Sequence, residues 1–366
     1  MENTKTNSTA DIRLMKGNEA LAESSLRAGM QAYFGYPITP QSEVLEYLTE
    51  HAPEYKTIVL QAESEVASIN MIYGAAGAGA RVMTSSSSPG ISLMQEGISY
   101  IAAAELPCLI VNVNRGGPGL GTIQPSQSDY FQSTKGGGHG DYHLIVLAPA
   151  SVQEMSDFVF EGFRLAEKYR NPVLILTDGA LGQMMEKVEL RPAGSLPYVK
   201  QDWATTGKPK SRGRNYVSTL HMDPAQMEMV NITLQKKYAI IKENEVKFDE
   251  YKVEDAEFVL AAYGLTARIC HKAVDLAREK GIKVGMIRPI TLYPFPVDQF
   301  YKVGCQVKAI LDVEMSAGQM IEDVQLSVKG KCEVFFTGRM GGMIPSPEDV
   351  LQKLEEIVEL YSVTKA

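Results

Sequence analysis

The sequence predicts an α/β protein with a doubly wound, mostly parallel sheet, followed by a smaller second α/β domain. Strand-length apolar runs such as Cys108–Val111 and Val173–Leu176 alternate with amphipathic helical segments along most of the chain. The alternation stops near residue 190 and resumes near residue 252, and 366 residues are enough for two domains. We therefore predict a first domain over residues 12–190, a connecting segment with a long helix over 191–251, and a second domain over 252–366.

The helices of the first domain are predicted from their capping residues. Asn18 is a good N-cap for the first helix. Thr39–Pro40 places an N-cap threonine before a first-turn proline, which predicts the start of the second helix. Glu65 follows a predicted strand and begins the third helix. Ser151 and Glu154 have the spacing of a capping box and precede a long amphipathic helix.

Beyond residue 190 the same signals predict one long helix and a second alternating block. Asp223–Pro224 begins a charged helix that is expected to end near Tyr251. Short apolar strands then alternate with helices again. Ser346 and Asp349 have capping-box spacing before a final amphipathic helix.

Composition and charge exclude several classes of function. Lys and Arg number 36 against 44 Asp and Glu, which gives a formal net charge of −8. Such an acidic chain is a poor candidate for binding nucleic acid or an anionic membrane. The first fourteen residues are polar, and no apolar run approaches a membrane span, so we expect a cytoplasmic protein. None of the four cysteines lies in a C-x-x-C pair, so this chain is not expected to hold an iron–sulfur cluster alone.

Three strand-to-helix turns carry candidate chemistry, because ligands of open α/β sheets bind at the carboxyl ends of strands. In the turn 35–40, Thr39 is either an anion contact or a plain N-cap. In the turn 61–65, Glu63 and Glu65 both suit a helix N-terminus, and either could be a proton relay. Arg115 begins a glycine-rich stretch over 115–140, which is either a carboxylate-binding loop or a flexible surface loop. No residue is assigned to a metal; His139 and His143 have zinc-helix spacing, but the glycines around them argue against a helix.

Taken together, these segments resemble the α-type chain of the 2-oxoacid:ferredoxin oxidoreductases over nearly the whole chain after Leu14. The resemblance depends on these motifs: Gly17-Asn18-Glu19-Ala20, Tyr36-Pro37-Ile38-Thr39-Pro40, Glu63-Ser64-Glu65-Val66-Ala67-Ser68, Arg115-Gly116-Gly117-Pro118, Gln127-Ser128-Asp129 and Gly137-Gly138-His139-Gly140. Two C-terminal segments, Ile287 to Pro294 and Gly338 to Gly342, are similar to the family's second domain. The resemblance implies a pyrimidine-type domain that binds thiamine diphosphate, followed by a domain like the C-terminal domain of transketolase.

The resemblance also implies roles for individual residues. Glu65 is expected to contact N1′ of the aminopyrimidine and to be the proton relay, with Glu63 as its neighbour. Pro37 is expected to pack against the cofactor ring. Thr39 and Arg115 are expected to bind the carboxylate of the 2-oxoacid. Leu120 is expected to face an apolar substrate side chain.

Cofactors and partners follow from the same resemblance. Thiamine diphosphate is expected to be shared with a β subunit that supplies the diphosphate-side domain and an iron–sulfur cluster. Mg²⁺ is also expected in a partner, because this chain lacks the Gly-Asp-Gly…Asn signature; Asp178–Gly179 follows Thr177, not glycine. A γ subunit, a small ferredoxin-like subunit and ferredoxin complete the expected partners. Coenzyme A is the expected co-substrate, and the chain is expected to be active only with its partner subunit.

The substrate is inferred from the loop that begins at Gly117. Its sequence, Gly-Pro-Gly-Leu-Gly-Thr, resembles that of chains acting on branched-chain 2-oxoacids such as 2-oxoisovalerate more than that of chains acting on 2-oxoglutarate. Two alternatives to the oxidoreductase remain open. One is a subunit of a non-redox thiamine enzyme of the transketolase type, and the other is a regulatory subunit without catalytic activity.

Overall fold

The computed structural model of this chain describes residues 10–208 and 210–363. The polar N-terminal stretch is therefore described only from Ala10. Pro209 and the last three residues, which the predicted connecting segment and second domain include, lie outside the described residues. The first domain contains these elements in chain order: β1 (Asp11–Lys16), α1 (Gly17–Arg27), β2 (Ala32–Gly35), α2 (Ser42–Tyr55), β3 (Ile58–Gln61), α3 (Glu65–Gly77), β4 (Val82–Ser86), α4 (Ser88–Ala103), β5 (Cys108–Asn114), α5 (Tyr130–Thr134), β6 (Ile145–Leu147), α6 (Val152–Tyr169), β7 (Pro172–Asp178), α7 (Gly179–Gln183) and β8 (Met185–Leu190).

The main sheet of the first domain is parallel and has helices on both faces. Strands β6, β7, β5, β4, β2 and β3 lie side by side in that order, all parallel. The central strand β5 is buried at every position, as strands covered on both faces are. Its side chains alternate between the two cores: Ile110 packs with the side of α3 and α4, while Leu109 and Val111 pack with the side of α1, α2 and α6.

The remaining elements form the connection and the second domain. They are α8 (Pro224–Asn244), β9 (Phe248–Tyr251), β10 (Phe258–Ala261), α9 (Gly264–Glu279), β11 (Val284–Pro289), β12 (Thr291–Tyr293), α10 (Val297–Gly304), β13 (Ala309–Glu314), α11 (Met320–Val328), β14 (Glu333–Gly338) and α12 (Pro347–Val363). Strands β14, β13, β10, β11 and β9 form a five-stranded sheet, with β9 antiparallel to β11. The predicted doubly wound α/β fold with a second α/β domain is confirmed.

Strand β12 joins the two domains through hydrogen bonds. It comes from the second half of the chain, yet it pairs antiparallel with β6 at the edge of the first sheet. The backbone N–H of Ala148, just after β6, donates to the carbonyl oxygen of Ile290 at 2.9 Å. The first sheet therefore has seven strands, one of them contributed by the second domain. The predicted boundaries at residues 190 and 251 stay predictions.

Three of the predicted helix caps are present, and one of the two predicted capping boxes is complete. The Asp223 carboxylate accepts a hydrogen bond from the N–H of Ala225 at the start of α8. Ser346 and Asp349 form the reciprocal bonds of a capping box before α12, at 3.0 and 2.9 Å. Ser151 also caps α6 by accepting from the N–H of Glu154, but the Glu154 carboxylate accepts instead from Ala150.

Three predicted boundaries are wrong. Helix α8 ends at Asn244 rather than near Tyr251, because Phe248–Tyr251 is the strand β9. Helix α2 begins at Ser42 rather than at Pro40, because the N–H of Gln41 bonds the carbonyl oxygen of Ile38 and closes a turn there. Asn18 is inside α1 rather than at its N-cap; Lys16 takes that position.

Among residues 10–208 and 210–363, none of the helices combines the length and the apolar composition needed to cross a bilayer.

Candidate active site

The three predicted turns lie at the carboxyl end of the strands of the first sheet. The turn 36–40 follows β2, Glu65 follows β3, and Arg115 follows β5. These strands are parallel members of the same sheet, so their carboxyl ends all lie at the same end of the sheet. The structure therefore brings together the segments that contain Pro37, Thr39, Glu65 and Arg115.

The turn 36–40 is held by two buried amides. Gln41 donates from Nε2 to the carbonyl oxygen of Tyr36 at 3.1 Å, and its Oε1 accepts from Ser85 Oγ at 2.6 Å. Asn18 donates from Nδ2 to the carbonyl oxygen of Pro40 at 2.8 Å. The Thr39–Pro40 peptide bond is cis. Pro37 and Thr39 are both exposed, so a ligand can reach them.

Glu65 and Glu63 differ sharply in burial. Glu65, the first residue of α3, is 6% exposed, whereas Glu63 is exposed. Ser64 caps this helix by accepting from the N–H of Ala67 at 3.1 Å, so neither glutamate is needed for that role. Burial therefore distinguishes Glu65 from Glu63, and the alternative of a charge that stabilises the helix N-terminus stays a prediction for both.

The carboxylate of Glu65 lies in a cradle that only glycine permits. A Cβ on Gly90, in the first turn of α4, would lie 2.6 Å from Glu65 Oε1 and 2.0 Å from Ser86 Oγ. The hydroxyls of Ser86 and Ser87 are buried and have no hydrogen-bond partner among the described residues. A carboxylate and two unpartnered hydroxyls fit a ligand with both hydrogen-bond donors and acceptors, such as a heterocycle with ring nitrogens and an amino group.

Arg115 begins a closed loop that we call the Arg115 hairpin, residues 115–125. Arg115 and Pro125 form an isolated antiparallel bridge. Inside it, the N–H of Gly116 donates to the carbonyl oxygen of Gln124 at 2.9 Å. The predicted alternative of a flexible surface loop does not fit this pairing.

The guanidinium of Arg115 is buried, and only some of its N–H groups donate hydrogen bonds within the described residues. Nη1 donates to the carbonyl oxygen of Thr39 at 2.8 Å, and Nη2 donates to that of Leu120 at 2.9 Å. Nε is buried without a partner among the described residues. One Nε hydrogen and the second hydrogen of each Nη remain, which are the donors that a carboxylate needs.

A cavity of about 420 Å³ opens beside Arg115, between the two domains. Pro118 of the hairpin and Pro89 line its apolar part, together with Met315 and Met340 from the second domain. Leu120 is not among the lining residues; its side chain is 79% exposed. The carbonyl oxygen of Leu120 accepts from Arg115 Nη2, and the predicted contact between the Leu120 side chain and an apolar substrate group stays a prediction.

Two carboxyls, that of the half-buried Asp129 and that of the buried Asp178, lie near this end of the sheet. Asp129 lines the cavity and accepts from Asn112 Nδ2 at 2.8 Å, and burial raises the pKa of its carboxyl. Asp178 ends β7 and accepts from the N–H groups of Ala180 and Leu181. Burial raises the pKa of Asp178 to about 6, against the opposing effect of those two hydrogen bonds.

The raised pKa of Asp178 predicts a pH dependence of stability. A carboxyl that binds its proton more tightly when folded adds stability below its unfolded pKa of 3.8, and this is lost as pH rises through about 6. Asp178→Asn keeps a capping oxygen but cannot ionise. We expect its free energy of unfolding, relative to wild type, to rise by about 2 kcal/mol between pH 4 and 7. Urea unfolding at several pH values measures this; the exposed Asp202→Asn is the control, and parallel curves would contradict the prediction.

Sequence reasoning missed the residues that support the turns. Asn18 was assigned to a helix cap, but it binds the carbonyl oxygen of Pro40 instead. Ser88 is absent from the predicted site, yet its Oγ accepts from the N–H of Arg115 at 3.0 Å. The only sequence signal was their place in short motifs at strand ends, which does not say what a side chain contacts.

Comparisons with known proteins identify the family. Residues 23–255 match the model of the pyruvate flavodoxin/ferredoxin oxidoreductase thiamine diphosphate-binding domain, and residues 256–350 match core domain II of pyruvate:ferredoxin oxidoreductase. Ketoisovalerate oxidoreductase subunit VorB of Methanothermobacter thermautotrophicus is 49% identical over 94% of this chain and 97% of its own length. The 2-oxoglutarate synthase subunit KorA of Methanocaldococcus jannaschii is 37% identical over 93% and 98%.

Solved structures agree with these relatives. The 2-oxoglutarate:ferredoxin oxidoreductase from Magnetococcus marinus, with 2-oxoglutarate, coenzyme A and succinyl-CoA bound, superposes with a TM-score of 0.85 at 27% identity over 95% of this chain. This chain spans 65% of that longer chain. A split-gene transketolase shares the fold, with a TM-score of 0.58 at 12% identity over 93% of this chain and 97% of its own. The chain thus belongs to the 2-oxoacid:ferredoxin oxidoreductase family, as an α-type subunit with a thiamine diphosphate-binding domain.

Proposed function

We propose that this chain supplies the pyrimidine-side half of a thiamine diphosphate site in an enzyme that oxidatively decarboxylates a 2-oxoacid. The products are the acyl-CoA and CO₂, and the electrons pass to ferredoxin. The observation that carries the proposal is that the buried carboxylate of Glu65 and the buried guanidinium of Arg115 both lie at the carboxyl end of the first sheet. When bound, the cofactor supplies an electron sink for cleavage of the carbon–carbon bond.

Each predicted residue has a task in this proposal. Glu65 shares a proton with N1′ of the pyrimidine ring, and its burial excludes water from that contact. Pro37 packs its exposed ring against the heterocycle. Arg115 binds the substrate carboxylate through the Nη hydrogens that its bonds to Thr39 and Leu120 leave over, while the Thr39 hydroxyl orients that carboxylate.

The proposed substrate is a branched-chain 2-oxoacid such as 2-oxoisovalerate, with 2-oxoglutarate second. Among the lining residues of the cavity beside Arg115, all of them described, Arg115 is the one cation, and Asp129 is an acid. A second substrate carboxylate would find no positive partner there, whereas an isopropyl group fits the apolar lining. The ketoisovalerate relative is also more similar in sequence than the 2-oxoglutarate relative. The predicted contact between Leu120 and the substrate remains part of the proposal, and it requires the exposed hairpin tip to close.

A β subunit with the diphosphate-side domain is proposed to cover the surface around Glu65. Strand β3 is an edge of the first sheet, and its Ile58 and Leu60 are exposed. Val66 on α3 and Leu93 on α4 are exposed as well. An edge strand with apolar side chains is a typical surface for a partner protein.

The proposal assigns the rest of the chemistry to other chains. Mg²⁺ and the iron–sulfur cluster belong to the partner subunits, and a γ subunit and a small ferredoxin-like subunit complete the complex. Coenzyme A is the co-substrate and ferredoxin the electron acceptor. The cytoplasm is the proposed location, and neither nucleic acid nor membrane is a proposed partner.

Activity of the natural complex tests the proposal. The chain is purified anaerobically with its bound partners, and coenzyme A-dependent viologen reduction is measured with 2-oxoisovalerate and with 2-oxoglutarate. We expect reduction, with the larger kcat/KM for 2-oxoisovalerate. A thiamine-containing complex that reduces nothing would favour the regulatory alternative. A complex without iron that still acts on 2-oxoacids would favour the non-redox transketolase type.

A further inference from the structure

The two arms of the Arg115 hairpin are attached to different domains. The outgoing arm continues from β5 of the first domain, where the N–H of Arg115 donates to Ser88 Oγ at 3.0 Å. The return arm ends at Pro125, the bridge partner of Arg115. Ser126 and Gln127 follow at once, so whatever holds Gln127 also holds the base of the hairpin.

The side chain of Gln127 bonds only the second domain among the described residues. Its Nε2 donates to the carbonyl oxygen of Tyr263 at 2.8 Å. Its Oε1 accepts from the N–H of Met315 at 2.9 Å and from Thr266 Oγ1 at 3.1 Å. The backbone N–H of Gln127 also donates to the carbonyl oxygen of Met315 at 2.9 Å. The residue is 3% exposed, so water cannot replace these partners.

The body of the hairpin meets the second domain as well. A Cβ on Gly116 would lie 2.8 Å from the carbonyl carbon of Gly341, and a Cβ on Gly342 would lie 2.4 Å from the Cβ of Gln124. The backbone of the second domain therefore lies directly against the hairpin that carries Arg115.

We propose that Gln127 is a positioning residue for the 2-oxoacid: it fixes the return arm of the hairpin to the second domain and so holds Arg115 where the substrate carboxylate binds. The inference rests on the proposed function, in which Arg115 binds that carboxylate. It assigns to the second domain a part in substrate affinity, although Arg115 itself belongs to the first domain.

Steady-state kinetics of the complete complex test the inference. Gln127→Ala removes three side-chain hydrogen bonds, but they act on the carboxylate only through the hairpin. It should therefore raise KM for 2-oxoisovalerate about threefold to tenfold, the size of one net hydrogen bond. The kcat and the KM for coenzyme A should stay near wild type, because neither depends on the hairpin's hold on the carboxylate. Thr266→Val removes one donor from the other domain and should raise the same KM by a smaller factor. The double variant should be no worse in this KM than Gln127→Ala alone, because Gln127→Ala already breaks the contact between Thr266 and Gln127.

Gln153→Ala is the matched control. The Gln153 side chain also makes three hydrogen bonds, to Asp157 Oδ2, to the carbonyl oxygen of Glu189 and from the N–H of Glu189, but all lie within the first domain and away from the hairpin. Loss of the Gln153 side chain should lower the melting temperature of the complex without changing KM for 2-oxoisovalerate. Equal KM changes in Gln127→Ala and Gln153→Ala, or fully additive effects of Gln127→Ala and Thr266→Val, would overturn the inference.

Arg115→Ala separates this inference from the proposed function. If Arg115→Ala leaves KM for 2-oxoisovalerate unchanged, the carboxylate site itself is wrong, and the positioning role falls with it. If Arg115→Ala raises KM while Gln127→Ala and Thr266→Val match Gln153→Ala, the carboxylate site stands and only the positioning role is wrong.

Discussion

Replacing Glu65 by glutamine is expected to lower kcat by about 10²–10⁴-fold while leaving the complex assembled. Glutamine has nearly the same shape as glutamate, so it fits the cradle beside Gly90 and preserves the packing of α3. It cannot exchange a proton with a ring nitrogen as a carboxyl does. Viologen reduction at saturating 2-oxoisovalerate and coenzyme A measures the loss, and gel filtration measures assembly.

Glu63→Gln is the matched control for this change. Glu63 lies two residues earlier on the same turn but is exposed, so its replacement should leave kcat near wild type. Near-wild-type activity in Glu65→Gln would remove the relay from this residue. It would also favour the regulatory alternative, provided that the rest of the complex retained its activity.

Replacing Arg115 by alanine is expected to raise KM for 2-oxoisovalerate by about 10- to 150-fold, since hydrogen bonds to charged groups contribute roughly 1.5–3 kcal/mol. The change also frees the carbonyl oxygens of Thr39 and Leu120, which now accept from this side chain. Arg115→Lys keeps the charge but not the planar fork, so its KM should lie between those of wild type and Arg115→Ala.

A surface arginine provides the comparison for this second change. Arg191 pairs with Asp157 at 2.9 Å on the far side of α6, and its side chain is half exposed. Arg191→Ala should leave KM for the 2-oxoacid unchanged. An unchanged KM in Arg115→Ala would place the carboxylate site elsewhere, whereas an equal loss with every substrate and with coenzyme A would indicate general damage to the complex.

Local signals predicted local structure well. Asp223 and Ser346 mark helix starts because a short polar side chain bonds the free N–H groups that every helix leaves at its first turn. The continuous apolar run Cys108–Val111 predicted a strand for the same kind of reason, and the structure buries that strand, β5, at every position. Such signals require only residues close in sequence, so they can be read from the chain itself.

The contacts between residues far apart in the chain could not be predicted from the sequence. Thr39–Pro40 has the composition of a helix start, but Asn18 and Gln41 bind that turn from other elements, and the helix begins later. The strand β12 is three residues long, too short for its periodicity to mark it. Motif matching pointed to Arg115, but only the folded hairpin places its guanidinium beside Thr39.

The pairing of β12 with β6 has a consequence for synthesis of the chain. While the first 250 residues leave the ribosome, strand β6 stays an open sheet edge, because its partner is Thr291–Tyr293. An uncovered edge invites pairing with other chains during that interval. A fragment cut at the connecting segment would keep this edge permanently, so we expect the two parts to stay soluble only when they are produced together.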